Sequence, residues 1–230
     1  MTQADPAAEG GLVHDVRIDV ISDVVCPWCY VGKRRLEEAL AQASDLSAGV
    51  FWRPYQLDGT IPHGGIARKE YLDRKFGPDR AGQMYGRLEG IGREVGIPFA
   101  FDKIKISPNT LDAHRLLRWA QTAGTQGEVK EHLLRLFFVE GVDIGDHDVL
   151  ADVAAQHGIE RDVALRLLAG DADRDAVRGE IEMAARMGVT GVPFFIFNNR
   201  LAVSGAQPAE VLVQAMRQAM ETEAQPQADV

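Results

Sequence analysis

The sequence is poor in cysteine: it has two in 230 residues, Cys26 and Cys29, three positions apart. So few cysteines exclude the set of disulfides that holds a small secreted domain together. They also exclude a four-thiolate zinc site, and no histidine pair lies beside them at ligand spacing. The more distant histidines show no metal-binding spacing either, so we expect no metal site and assign them to the surface or to satisfied core positions: His63, His132, His147 and His157.

Basic residues and long apolar runs are also scarce. There are 25 Lys and Arg against 34 Asp and Glu, a formal net charge of −9, which excludes a broad basic surface for nucleic acid. No apolar run is long enough for a transmembrane helix, and the N-terminal MTQADPAAEGG has no secretory n-region or h-region. We expect a cytoplasmic protein that binds neither nucleic acid nor membranes. No sequence feature indicates an oligomeric state.

The two cysteines lie between a predicted strand and a predicted helix. The β-branched segment Val16–Ile21 is typical of a strand, and the apolar periodicity from Tyr30 to Gln42 predicts a helix. Pro27 suits the first helical position, which makes Cys26 the N-cap.

A thiol at the start of a helix is activated for nucleophilic chemistry. The sulfur of Cys26 is expected to face the free N–H groups of Trp28 and Cys29 and the positive end of the helix dipole, which stabilise a thiolate. Cys29, one turn further on the buried face, can then resolve a mixed disulfide formed on Cys26. Pro27 and Trp28 are expected to tune the reduction potential, and Trp28 to contact substrate.

A second segment near the C-terminus predicts a hairpin followed by a helix. Phe194–Phe197 is a short apolar run that suits a strand buried on both faces, and Leu201–Ser204 would be the returning strand. Asn198 and Asn199 can adopt positive φ in a two-residue turn between them. Pro208 would open the final helix.

Pro193 stands at the first position of that strand, one of the few places where a strand accepts proline. Because most X–Pro bonds are trans, the residues alone favour a trans Val192–Pro193 bond.

Strand, CPWC and helix, followed far downstream by VTGVPFFIF, hairpin and helix, resemble the DsbA-like thioredoxin-fold disulfide oxidoreductases, and most of all their FrnE-like branch. That branch is related to the 2-hydroxychromene-2-carboxylate isomerases, and the segment SPNTLDAHRL at 107–116 is similar to it as well. The resemblance implies that Cys26 attacks and Cys29 resolves. It also implies that Pro193 forms a cis-proline loop facing them, with the backbone of Val192 offered to an extended substrate.

The chain departs from this pattern at one position. Many thioredoxin-fold enzymes carry a buried acid six residues before the first cysteine, where this chain has Val20. Asp19 should point to the opposite strand face. Asp23 is the nearest remaining base, or else a turn residue or exposed cap. The resemblance places Asn109 and His114 beside Cys26, whereas the residues alone favour an N-cap asparagine and a helix-face histidine.

The fold class expected is α/β: a thioredoxin-like β-α-β … β-β-α fold with a large helical insertion. Residues 15–61 and 189–222 would form the thioredoxin-like domain, and residues 62–188, with mostly helical periodicity, the inserted domain. Residues 1–14 and 223–230 would be tails. Val50–Leu57 is predicted as the second strand, with Pro54 indicating an edge or a bulge, and Phe99–Ile106 stays open between loop and strand.

The function predicted first is thiol–disulfide oxidoreduction by the CPWC pair on protein or low-molecular-weight thiols, with no bound cofactor or metal and with glutathione as a possible redox partner. A glutathione-dependent isomerase or transferase is the second hypothesis, although the related isomerases have serine at the position of Cys26. A chaperone-like binding module that uses an apolar cleft is the third.

Overall fold

A computed structural model describes residues 14–77 and 80–221, so the predicted tails lie outside the described residues apart from His14. The elements in chain order are β1 (Val16–Ser22), α1 (Pro27–Gln42), β2 (Ala48–Pro54), β3 (Ile66–Ala67), α2 (Arg68–Phe76), α3 (Arg80–Glu94), β4 (Ile106–Ser107), α4 (Leu111–Thr122), α5 (Gln126–Arg135), α6 (His147–Gln156), α7 (Arg161–Ala169), α8 (Arg174–Arg186), β5 (Phe194–Phe197), β6 (Leu201–Ser204) and α9 (Ala209–Glu221). A 3₁₀ turn covers Phe101–Lys103 and a π-helical turn covers Leu136–Glu140.

The main sheet has the strand order β2-β1-β5-β6. β1 and β2 are parallel and are joined by α1, while β5 pairs antiparallel with both β1 and β6. This β-α-β and β-β-α arrangement confirms the predicted thioredoxin-like α/β fold. Asn198 and Asn199 have φ values of 48° and 53°, the positive φ expected of them in the turn. The loop is one residue longer than the two-residue turn predicted, because Phe197 pairs with Leu201 and Arg200 also lies between the strands.

Several predicted boundaries were wrong. β2 runs from Ala48 to Pro54 rather than from Val50 to Leu57, because the chain leaves the ladder at Pro54, which pairs with Ser22 at the end of β1. The helix for which Asn109 was the favoured N-cap begins at Leu111, and Thr110 is its N-cap.

Two further expectations for local structure also change. The ambiguous 99–106 segment is divided between the 3₁₀ turn and the short strand β4. β5 is fully buried only at Phe195 and Phe197, since the alternate residues lie on a partly covered face of the sheet.

The apolar residues form two main clusters. One lies between the sheet and the helices α1 and α9, around Ile18, Leu36 and Phe195. The other is built mainly from the helices between β2 and β5, around Leu116, Leu133 and Phe138. We propose on this basis that residues 62–188, hereafter the insert, form a domain with a core of their own. Tyr30 and Val31 of α1 pack into that second cluster and join the two parts.

Gly32 allows α1 to approach the loop before β5. A Cβ atom added at Gly32 would lie 2.7 Å from Cγ of Pro193 and 3.3 Å from Cζ of Phe195. Both neighbours are rigid, so a larger residue would push the loop and the helix apart.

We predict that Gly32→Ala lowers the free energy of unfolding by about 1–3 kcal/mol, because the proline ring cannot move out of contact without shifting its loop. Gly179→Ala in α8 is the matched control: its Cβ would meet nothing within 4 Å, so the substitution should stabilise by about 0.5–1 kcal/mol. Denaturant unfolding of both variants tests this, and equal effects would contradict the close contact.

Candidate active site

The two cysteines lie at the start of α1, where the sequence predicted them. Cys26 is the N-cap in an extended conformation (φ −94°, ψ 113°), Pro27 is the first helical residue, and the N–H of Cys29 donates to the carbonyl of Cys26 at 3.0 Å. Both cysteines are free thiols, 4% exposed at Cys26 and 0% at Cys29.

The direction of the Cys26 side chain differs from the expectation. The sulfur makes no capping hydrogen bond to the first turn of the helix. It lies instead 3.6 Å from the carbonyl oxygen of Val192, within hydrogen-bonding distance for a thiol donor. The helix start therefore orients the cysteine through its backbone, and the loop before β5 provides the contact with its sulfur.

That loop lies against Cys26. The Val192–Pro193 peptide bond is cis, where the residues alone favoured trans. The carbonyl of Pro193 accepts a hydrogen bond from the N–H of Gly205 at 2.9 Å, which ties the loop to the end of β6. Residues 166 positions apart, Cys26 and Val192, are thereby held together.

A cavity of about 350 Å³ opens beside Cys26, which lines it together with Pro27 and Val192. Most of the remaining wall is apolar and comes from α1, the loop after β2, α2 and α3; it includes Trp28, Leu57, Tyr71, Met84, Tyr85 and Leu88. Trp28 thus borders the space next to the Cys26 sulfur, where a substrate contact was predicted.

Asp23 is a buried carboxylate, 1% exposed, and not an exposed cap. Its Oδ2 accepts from the N–H of Leu57 at 2.8 Å, and its Oδ1 lies 3.2 Å from Nε2 of His114. The same Nε2 lies 2.9 Å from the carbonyl of Tyr55, so it carries the proton and donates to both acceptors. His114 therefore lies behind Asp23 and does not line the cavity.

The side chain of Asn109 holds two backbone segments together. Its Oδ1 accepts from the N–H of Leu111, and its Nδ2 donates to the carbonyl of Ile61 at 2.6 Å. It fastens the loop after β2 to the start of α4, and it is absent from the cavity lining.

The sequence did not predict Lys130, which is fully buried on α5. Within the described part of the chain its Nζ has no hydrogen-bond partner, and it lies 5.5 Å from the centre of the Trp52 ring. Burial lowers the pKa of Lys130 to about 8, against attraction from Cys29, Asp23 and Cys26. The sequence did indicate that Lys130 is buried, because it precedes the buried Leu133, Leu134 and Phe137 by 3, 4 and 7 residues, the spacing of one helix face.

The thiol of Cys29 has a pKa raised well above its ordinary value, chiefly by burial and then by its hydrogen bond and charge interaction with Cys26. Lys130 and a backbone hydrogen bond from Asp23 act in the opposite direction. The protonated form of the Cys29 thiol is therefore favoured by its surroundings.

One cluster could hold a metal ion, although sequence spacing gave none. His63, Asp112 and His147 place their ligand atoms within 4.8 Å of one another, and both imidazoles donate from Nε2 to Oδ2 of Asp112, at 2.9 and 2.8 Å. The other carboxylate oxygen accepts from the buried Arg115 at 2.7 Å, which neutralises the charge a cation would need. The spacing of the three residues, 49 and 35 positions, made the cluster invisible in the sequence.

The DSBA-like thioredoxin domain model matches residues 17–217, and the chain belongs to that family. The resemblance of its cysteine and proline segments is thus confirmed at the level of the family. Among curated proteins the chain is 26% identical over 205 residues to the uncharacterised protein YwbO of Bacillus subtilis (strain 168), covering 87% of this chain and 96% of that protein.

Among solved structures, a probable DsbA oxidoreductase from Streptomyces coelicolor is 32% identical, covers 94% of each chain and has a TM-score of 0.83. A 2-hydroxychromene-2-carboxylate isomerase is 17% identical, with a TM-score of 0.67 over 90% of this chain and 98% of its own. The cytosolic disulfide reductase DsbM from Pseudomonas aeruginosa, solved with GSH, is 17% identical with a TM-score of 0.58 over 90% and 97%. At these identities the last two support the fold alone.

No helix within residues 14–77 and 80–221 combines the length and the apolar character needed to cross a bilayer.

We predict that Lys130→Met raises the free energy of unfolding at pH 7 by about 1–3 kcal/mol, because it removes a buried ammonium whose pKa falls from 10.5 to about 8 on folding. A lowered lysine pKa means that the unfolded chain binds more protons between pH 8 and 10.5, so the wild type recovers stability as the pH rises through that range. The gain of the variant over the wild type should therefore shrink between pH 7 and 9.5.

Lys33→Met is the matched control, since Lys33 is also buried but pairs with Glu131 at 2.8 Å and with Glu37. Removing that amine should destabilise the protein. Chemical denaturation at several pH values measures both effects, and a Lys130→Met variant less stable than the wild type throughout would contradict the buried, unpaired charge.

Proposed function

We propose that this protein is a thiol–disulfide oxidoreductase that uses Cys26 as the attacking thiol and Cys29 as the resolving thiol. The observation that carries the proposal is the position of the Cys26 sulfur, at the N-cap of α1, on the wall of a cavity and 3.6 Å from the carbonyl of Val192. Membership of the DSBA-like family supports the same chemistry.

The proposed reaction exchanges two electrons. The Cys26 thiolate attacks one sulfur of a substrate disulfide, forms a mixed disulfide and releases the other sulfur as a thiolate. The Cys29 thiolate then attacks the Cys26 sulfur, so that a Cys26–Cys29 disulfide forms and the second substrate thiolate leaves. The proton of Cys29 passes to a leaving thiolate or to solvent. The enzyme is oxidised, the substrate is reduced, and the reverse sequence would form a disulfide.

Lys130 supports the second step of this scheme. The Cys29 thiol is fully buried, so its ionisation is unfavourable without a compensating charge. The unpaired ammonium of Lys130 provides that charge, in place of the buried acid that Val20 replaces. Asp23 is fully engaged with Leu57 and His114, and we therefore assign it to orienting the segment before Cys26.

The loop of Val192 and Pro193 is the proposed substrate platform. Its backbone runs beside Cys26 and lines the cavity at Val192, which suits an extended peptide that pairs with the loop. Pro27 and Trp28, the two residues between the cysteines, border the same space and are proposed to tune the reaction.

Glutathione is the proposed low-molecular-weight partner, and the cytoplasm the proposed location. The fold likeness to DsbM, a cytosolic disulfide reductase solved with GSH, supports both. A glutathione-dependent isomerase remains the second candidate, favoured by the apolar cavity at Cys26 and by the fold of 2-hydroxychromene-2-carboxylate isomerase.

We predict that Cys26→Ser reduces the rate of insulin-disulfide reduction to that of the uncatalysed reaction, because the nucleophilic sulfur is lost. Cys29→Ser should retain the first step but not the second, so a mixed disulfide on Cys26 should accumulate and be visible by intact-protein mass spectrometry. Unchanged turnover in Cys26→Ser would refute the mechanism. Isomerisation that depends on glutathione and survives in Cys26→Ser would favour the second candidate.

A further inference from the structure

The cavity beside Cys26, hereafter the cysteine cavity, has a size that selects among substrates. Its volume of about 350 Å³ lies near the lower end of the roughly 300–1,000 Å³ typical of small-molecule sites. It is suited to one aromatic-sized group attached to the sulfur under attack, and its apolar wall at Trp28, Tyr71 and Tyr85 matches such a group.

Two cations, Arg68 and Lys75, stand in this largely apolar wall. Arg68, the first residue of α2, lines the cysteine cavity with its guanidinium near three aromatic rings, 5.8 Å from the centre of Tyr71, 5.9 Å from Tyr85 and 5.8 Å from Phe137. Its NH2 donates to the hydroxyl of Tyr85 at 2.7 Å and its NH1 to that of Ser107 at 3.1 Å.

Arg68 has no anionic partner among the residues that the structure describes. Across residues 14–77 and 80–221, no carboxylate forms an ion pair with its guanidinium within 4.0 Å. Within the same residues its buried Nε has no hydrogen-bond acceptor. A buried donor and a partly desolvated charge both cost free energy, and a bound anion would compensate for both.

The other charged side chains at the cavity, those of Asp58, Lys75 and Asp23, already have hydrogen-bond partners within the protein. The hydrogen bonds that Asp58 accepts from Thr60 lower the pKa of its carboxyl, and Lys75 and Arg74 act in the same direction to a smaller extent. The amine of Lys75 donates to the hydroxyl of Tyr71 at 2.6 Å. The buried carboxylate of Asp23 is held by Leu57 and His114. Arg68 is therefore the charge best placed to recognise a ligand.

We propose that the cysteine cavity binds the group attached to the sulfur that Cys26 attacks, that this group is apolar or aromatic and carries a carboxylate, and that Arg68 anchors the carboxylate. This inference rests on the proposed function and narrows it to a substrate class. The redox step is unchanged: Cys26 displaces a thiolate from the substrate disulfide, Cys29 displaces the second, and the two electrons pass from the dithiol to the substrate.

The test compares two aromatic disulfides that differ in charge, 5,5′-dithiobis(2-nitrobenzoate), which carries carboxylates, and the neutral 4,4′-dithiodipyridine. The protein is fully reduced before mixing. Stopped-flow absorbance then follows the aromatic thiol that each disulfide reagent releases when the protein attacks it. We expect Arg68→Met to slow the reaction with the anionic disulfide by about tenfold or more, the loss of one hydrogen bond to a charged group. The reaction with the neutral disulfide should change by less than about twofold, since a single neutral contact is worth little.

Two further variants separate local recognition from general electrostatics and from misfolding. Arg87→Met removes the same charge from an exposed position on α3 that does not line the cavity, and it should leave the ratio of the two rates unchanged. Arg68→Lys keeps the charge but loses the planar donors, so an intermediate ratio is expected. Circular dichroism and a thermal melt establish that each variant is folded.

The outcomes distinguish the two proposals. A wild-type protein that fails to react with the neutral disulfide refutes the oxidoreductase function and this inference with it. Normal reaction with the neutral disulfide, combined with an Arg68→Met variant that slows both substrates equally or neither, overturns the carboxylate subsite alone.

Discussion

The contact between α1 and the loop of Pro193 is the constraint on which the rest of the site depends. Because Gly32 has no side chain, the ring of Pro193 can approach α1 closely. A Cβ atom added at Gly32 would lie only 2.7 Å from Cγ of that ring. That approach places the carbonyl of Val192 3.6 Å from the Cys26 sulfur. The same loop joins α8 to β5, so the last helix of the insert leads directly to the residue that contacts the Cys26 sulfur.

The two cysteines differ through burial rather than through sequence position alone. Cys26 borders a cavity, whereas Cys29 is closed off and has a raised thiol pKa. Lys130 is also buried, but its charged form is a cation, so burial lowers the pKa of its amine. A buried thiol that resists ionisation and a buried amine that resists protonation lower each other's cost when they are charged together. The free-energy cost of a transient Cys29 thiolate is therefore lower beside the charged Lys130 than it would be without that amine.

Features that depend on local sequence could be predicted, and those that depend on distant contacts could not. Pro27 and Cys26 at a helix start, or Asn198 and Asn199 in a hairpin turn, follow from backbone preferences of a few neighbouring residues. The end of β2 was misplaced because Pro54 still fits an edge strand. Which residues complete the site depends on packing between segments far apart in the chain.

Lys130 and Arg68 illustrate that second kind of feature. Lys130 stands on the buried face of α5, but its spacing could not reveal that Cys29 lies within its field. In the sequence Arg68 is an ordinary basic residue at the start of α2. Its proposed role in substrate recognition depends on the three aromatic rings and the cavity around it. His114, which the resemblance alone placed beside Cys26, lies behind Asp23, because α4 presents it to the carbonyl of Tyr55.

The division of the cavity wall between two parts of the chain has a consequence for how specificity arises. The reacting sulfur and the Val192 carbonyl belong to the sheet and its loops, while Arg68, Tyr71 and Tyr85 belong to the insert. The two sets of residues lie on different elements, but they are not independent, because Tyr30 and Val31 of α1 pack into the apolar cluster of the insert. Under the proposed function, the reacting cysteines and the residues that choose the substrate come from different parts of the chain, and both the cavity wall and this packing of α1 join them.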